Sequence, residues 1–153
     1  MRAAFLVAVG LSLFVGGTGF QATESITVHA WSSTNGPYGA VWYLEIASDG
    51  QAQVTSSAPL GAKSEHHRFR LPRARREAIL RAVEEANFFA LPKFVGASPV
   101  PIHGPEDCLE IQLRGRVLKV FLSDPASSTG DEVERFRKVW RAVSASSPVQ
   151  PPL

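Results

Sequence analysis

One cysteine, Cys108, is all the thiol chemistry that this 153-residue sequence holds. No disulfide can close within the chain, so packing must hold the fold even in an oxidising compartment. Charge of one sign is equally scarce. There are 16 Lys and Arg against 14 Asp and Glu, a net of +2, which is too mild to draw the chain onto nucleic acid. The apolar run at residues 3–15 falls short of the roughly 20 residues that a membrane-spanning helix needs. Also missing are the phosphate-binding glycine loops, G-x-S-x-G, H-E-x-x-H and C-x-x-C. Any catalytic site must therefore be assembled from scattered residues. The sequence points to no cofactor and no metal.

What is present begins with a targeting pattern. Arg2 precedes the apolar stretch AAFLVAVGLSLFV, and Gly16-Gly17-Thr18-Gly19 comes next with small residues suited to signal peptidase. Residues 1–19 read as a signal peptide, which implies a secreted or periplasmic protein with no stable membrane span in the mature chain. Cleavage after Gly19 is preferred to cleavage after Ala22, which would place bulky Phe20 at a small-residue position. The remaining chain, about 130 residues, is one domain in size. At 44% hydrophobic and 20% charged it can build a core.

Hydrophobic periodicity sets the expected elements. Residues 25–31 (SITVHAW) alternate, with Ile26, Val28 and Ala30 on one face and Trp31 on the other. Residues 32–39 (SSTNGPYG) read as a loop. Residues 41–47 put Trp42, Leu44 and Ile46 on one face. Asp49-Gly50 predicts a type I′ turn into a partner strand at 51–57. A short strand at 68–71 leads to a helix starting near Pro72, with Ile79, Leu80, Val83 and Ala86 as its apolar stripe. That stripe runs on to Phe89 or Ala90, so at least one of Phe88 and Phe89 is expected to be buried and to lock helix to sheet before Pro92. Residues 91–106, with four prolines, read as a strap. Strands at 108–113 and 116–122 flank an Arg114-Gly115 turn. Thr129 and Glu132 fit a capping box for a last helix carrying Val133, Phe136, Trp140 and Val143.

The expected fold is therefore α+β, with an antiparallel sheet of about five strands and two helices on one face, in the order β-ββα-ββα. One domain would span residues 25–143, followed by a flexible Pro/Ser-rich tail at 144–153. A short echo links the two hairpins. Leu44-Glu45-Ile46 precedes Asp49-Gly50, and Leu109-Glu110-Ile111 precedes Arg114-Gly115 at the same spacing.

Candidate functional residues are few. His66 and His67 are adjacent on an extended segment and so point to opposite faces, which disfavours one shared metal. His103 and Cys108 suggest a thiol dyad, although a buried free cysteine usually acts as a small hydrophobe. Arg68, Arg70, Arg73, Arg75, Arg76 and Arg81 concentrate positive charge and suit an acidic partner or an anionic envelope surface. Asn35 and Tyr38 lie in a turn-rich loop, where binding residues concentrate. Trp31 stands on the sheet face that no helix is expected to cover. The proposed partner contacts are Asn35, Tyr38, Trp31, Arg73 and Arg76.

Asn87-Phe88-Phe89-Ala90-Leu91-Pro92, Asp107, Leu109-Glu110-Ile111 and Arg114-Gly115-Arg116 together resemble the emfourin-type bacterial proteins, small inhibitors of thermolysin-like metalloproteases. A second resemblance, to small secreted bacterial domains, rests on Gly36-Pro37-Tyr38-Gly39, Tyr43, Ile46 and Asp49-Gly50. The first departs from its pattern in lacking the Gly-Gly-Phe-type loop after the first strand, and it assigns no inhibitory residue. It implies a protein partner, a protease among the options. The expectation is an exported, non-enzymatic binding domain. The alternatives are an envelope-associated structural or small-ligand-binding module, and a hydrolase built on His103 and Cys108.

Overall fold

A computed structural model describes residues 24–34, 39–58, 63–96 and 104–152. The predicted signal segment, Asn35, Tyr38 and His103 lie outside the described residues. The chain is α+β. Four strands come first, β1 (Ile26–Ser33), β2 (Val41–Ile46), β3 (Gln51–Ser57) and β4 (Glu65–Arg70). Helix α1 (Arg73–Glu85), a 3-10 turn at Phe88–Ala90, and strands β5 (Phe94–Gly96), β6 (Glu106–Leu113) and β7 (Arg116–Ser123) come next, and α2 (Asp131–Ser144) completes the order.

The sheet has seven strands in the order β4-β3-β2-β1-β6-β7-β5, so the expected count of about five is corrected upward. Two additions account for the difference. The short strand expected at 68–71 instead spans Glu65–Arg70 and forms one edge. Inside the proline-rich strap, β5 forms the other edge, and it runs parallel to β7, which makes the sheet mixed.

Alternation decides which residues enter the core. Ile26, Val28 and Ala30 pair in register with residues of β2 and β6, and all point inward with Trp42, Leu44, Ile46, Leu109 and Ile111. Ile79, Ala82 and Val83 of α1 and Val133, Phe136, Val139 and Val143 of α2 cover this face. Trp42 is fully buried, so its indole N–H requires an acceptor. It donates to the Val149 carbonyl at 2.8 Å, which ties the stretch after α2 to the core.

Two local expectations are corrected and a third is sharpened. First, Asp49-Gly50 is not a type I′ turn, since only Gly50 of the pair has positive φ. The Gly50 amide bonds the Ala47 carbonyl and the Ala47 amide bonds the Gln51 carbonyl, closing a wider turn. Arg114 (φ 51°) and Gly115 (φ 74°) carry the two positive φ values instead, at the second hairpin. Second, Thr129 does not cap α2. Gly130 holds the cap position without a side-chain bond, and Asp131, Glu132 and Glu134 complement the helix dipole. Third, Phe88 is fully buried and Phe89 only partly. Asn87 adopts a left-handed conformation (φ 46°) that ends α1 and shifts the phase of the residues after it. Arg135 of α2 donates to the Ala86 and Asn87 carbonyls, both at 2.7 Å, and so caps the end of α1.

Candidate functional site

Both helices lie on one face, and no helix or strand among the described residues covers the other face of the sheet. Residues there can be read across the strands from the register. Tyr43, Trp31, Cys108, Phe121 and Phe94 are successive partners on β2, β1, β6, β7 and β5. At ~4.8 Å per strand this row is about 19 Å long. Phe94 and Phe121 stack with centroids 5.4 Å apart, and Phe94 is 61% exposed. Lys119 lies 5.1 Å over the Phe121 ring.

One turn of the pleat away runs a polar row. His29 faces Glu45 on β2 and Glu110 on β6, so the two glutamates of the sequence echo flank one histidine. The row continues to Gln53 and Arg68 on one side and to Lys119 on the other. The Tyr43 hydroxyl donates to Glu45 Oε1 at 3.1 Å and lies 3.5 Å from His29 Nδ1. Burial, then the nearby Glu45 and Glu110 charges, pushes the Tyr43 phenol up to about 12, so it stays a donor. Gln53 donates to the other oxygen of Glu45. A cavity of about 350 Å³ opens beside Thr27, His29, Glu45, Gln53 and Arg68.

The partner contacts named from the sequence are not brought together. Trp31 is on the open face as expected, in the middle of the aromatic row. Arg73 and Arg76 are on α1, in the layer behind the sheet. Arg73 is engaged with Glu77 at 2.7 Å. Arg76 lies against the Gly50 turn, with Nε buried and without a hydrogen-bond partner, so it braces α1 against the first hairpin. Arg68 and Arg70 alone of the arginine group belong to β4 and the open face.

Cys108 is buried between its row neighbours, and burial pushes its thiol up to about 12. A neutral thiol of this kind is a poor nucleophile. His66 bonds Thr55 Oγ1 at 3.0 Å on the open face, while His67, one residue on, stands near Glu65 at 3.7 Å.

Asp107, which the sequence singled out only as part of a resemblance, was given no site role there. It is the second residue of β6, on the inward side, 8% exposed, at the end of the sheet where β1 and β7 finish. Burial raises its carboxyl to about 6, against the lowering effect of a hydrogen bond from Ser32. A second cavity, of about 850 Å³, opens there among Ser32, Asp107, Pro105, Pro125, Trp140 and the 150–152 segment. The only local signal was the acid next to Cys108, and its meaning depends on α2 and the last residues packing over it. No helix among the described residues is long and apolar enough to cross a membrane. The sequence matches no family model and no curated protein.

Proposed function

We propose that this chain is an exported, non-enzymatic binding domain that engages a protein partner with the open face of its sheet, and that the partner is a protease which it inhibits. The observation that carries the reading is the uncovered aromatic row Tyr43–Trp31–Phe121–Phe94 beside the charged row from Arg68 to Lys119. Aromatic anchors ringed by polar groups are the usual composition of an interface centre. The sheet edges are poor alternatives. The β4 edge carries Glu65, His66, Arg68 and Arg70, and the β5 edge is three residues long, both of which deter strand addition. The neutral, buried Cys108 thiol gives no support to the hydrolase reading. The protease assignment rests on the resemblance of the Asn87–Pro92 and β6–β7 segments to the emfourin type.

Titrating a thermolysin-like metalloprotease with the purified protein tests this. Stoichiometric inhibition is expected. Trp31→Ala should weaken it by about two orders of magnitude, the size of a hot-spot loss, with the melting temperature held within a few degrees. Inhibition that survives Trp31→Ala unchanged would move the interface off this face. No inhibition, together with capture of only lipid or glycan, would sink the reading.

A further inference from the structure

The cavity at Asp107 is independent of the open face, since it lies at the end of the sheet on the helix side. Its walls carry several side chains with little internal freedom. Pro105, Pro125, Pro151 and Pro152 contribute ring surfaces, and Trp140 contributes an indole held by stacking on Phe136 at 6.0 Å. Prolines and a stacked indole have little side-chain freedom to lose when something fills the space. Its volume of about 850 Å³ is within the range of small-molecule sites, roughly 300–1,000 Å³.

Ser32, Ser33, Thr34 and Asp107 line it from the strand ends, and Gln150, the polar residue from the last segment, has its amide engaged by the Ser144 and Ser147 carbonyls. Asp107 is the charged one. The Arg137 charge offsets part of the cost of burying it, but no ion pair joins the two among the described residues, and the Arg137 nitrogens are committed to Glu134 at 2.6 Å and to the Pro125 and Ser128 carbonyls at 2.7 Å. A buried carboxylate beside an apolar chamber is costly unless an opposite charge joins it. An indole in the same wall adds a surface that attracts cations.

We propose that this cavity is a binding site for small molecules that join an apolar body to a protonated amine, with the ammonium on Asp107 and the body against Trp140 and the prolines. An acidic ligand would place like charge beside Asp107. A neutral alcohol would fill the same volume but leave the carboxylate with only the partial compensation that Arg137 gives. The amine is therefore distinguished from both by charge at constant shape.

Three matched probes test this, 2-phenylethylamine, 2-phenylethanol and 3-phenylpropionate, titrated into the full mature chain by calorimetry and by following the Trp140 indole N–H in NMR spectra. The amine should bind and shift the Trp140 signal. The alcohol and the acid should bind about tenfold more weakly or worse. Asp107→Asn, which keeps the shape and an acceptor for Ser32, should erase the preference for the amine while the protein stays folded. Trp31→Ala should leave amine binding intact, which separates this site from the protein-binding face. Equal affinity for amine and alcohol overturns the proposal. So does an Asp107→Asn protein that binds the amine as the parent does, or the absence of any Trp140 shift with the amine at concentrations on the order of 10 mM.

Discussion

Burial holds the Asp107 carboxyl at about 6 rather than its ordinary 3.8, with the Ser32 hydrogen bond opposing the rise. The folded protein thus binds this proton more tightly than the unfolded chain does. The contribution favours folding below about pH 4 and is lost as pH rises through about 6, so at neutral pH the ionised group is a liability on the order of 3 kcal/mol at most. Asp107→Asn removes the titration and keeps an acceptor for Ser32. The variant should be more stable than the parent by about 1–3 kcal/mol at pH 7.5, and the gap should close towards pH 4. Urea unfolding of both proteins at several pH values measures this, and taking the difference between them cancels the other carboxylates. A variant less stable than the parent at pH 7.5 would mean that Asp107 is compensated by its surroundings. A natural sequence that keeps a destabilising carboxylate in the wall of a cavity is consistent with a stability–function trade-off.

Among the elements, β5 shows how little of a fold can depend on local sequence. Its three residues, FVG, come just after Pro92 and pair in parallel with β7, so neither alternation nor a turn announces it. Gly96 is what lets it dock. With φ at +97°, a Cβ at this position would stand 2.5 Å from Ser128 Oγ and 2.7 Å from the Ser123 carbonyl oxygen. The carbonyl is backbone, and it accepts the Ser128 hydroxyl at 2.7 Å, so neither atom yields readily. Gly96→Ala should cost about 2–3 kcal/mol and lift β5 from the sheet. The Phe121 amide, which donates to the Lys93 carbonyl at 2.9 Å, should then lose hydrogen-exchange protection while β1 and β2 amides keep theirs. Unchanged protection at Phe121 would show that the edge tolerates the added methyl.

The same contrast separates what could be read from the sequence from what could not. In VWYLEI the alternation alone places Trp42, Leu44 and Ile46 in the core, because every second side chain must face one way. Phe88 and Phe89 could not be assigned by extending the helical stripe, since one left-handed residue, Asn87, resets the phase between them and the helix. The flanking of His29 by Glu45 and Glu110 was present in the sequence only as an echo. Its meaning required knowing that β1 pairs with both hairpins at once. The Asp107 cavity was the least legible, because residues more than 30 apart in sequence build its walls.

At the scale of the whole molecule, a sheet with helices on one side leaves three surfaces of the sheet itself to meet another protein: two edges and an open face. This chain treats them differently. The β4 edge is lined by Glu65, His66, Arg68 and Arg70, all exposed, and the β5 edge is too short to template a long strand. The open face keeps its aromatic side chains. Charge on an edge strand acts against unwanted pairing, because docking a second strand would bury the ionic groups alongside the unsatisfied backbone. If that is the role of these residues, Arg68→Val with Arg70→Thr should make the average mass in solution rise with protein concentration, as measured by light scattering after size exclusion. Trp31→Ala, which alters the face and leaves the edge alone, should not. Both changed residues of β4 are exposed, so stability should move by only about 0.5 kcal/mol, and any association is not a consequence of unfolding. A double variant whose mass stays independent of concentration would mean that the twist and brevity of the edge suffice. The arginines of β4 would then be left to the open face, where Arg68 borders the His29–Glu45 cavity.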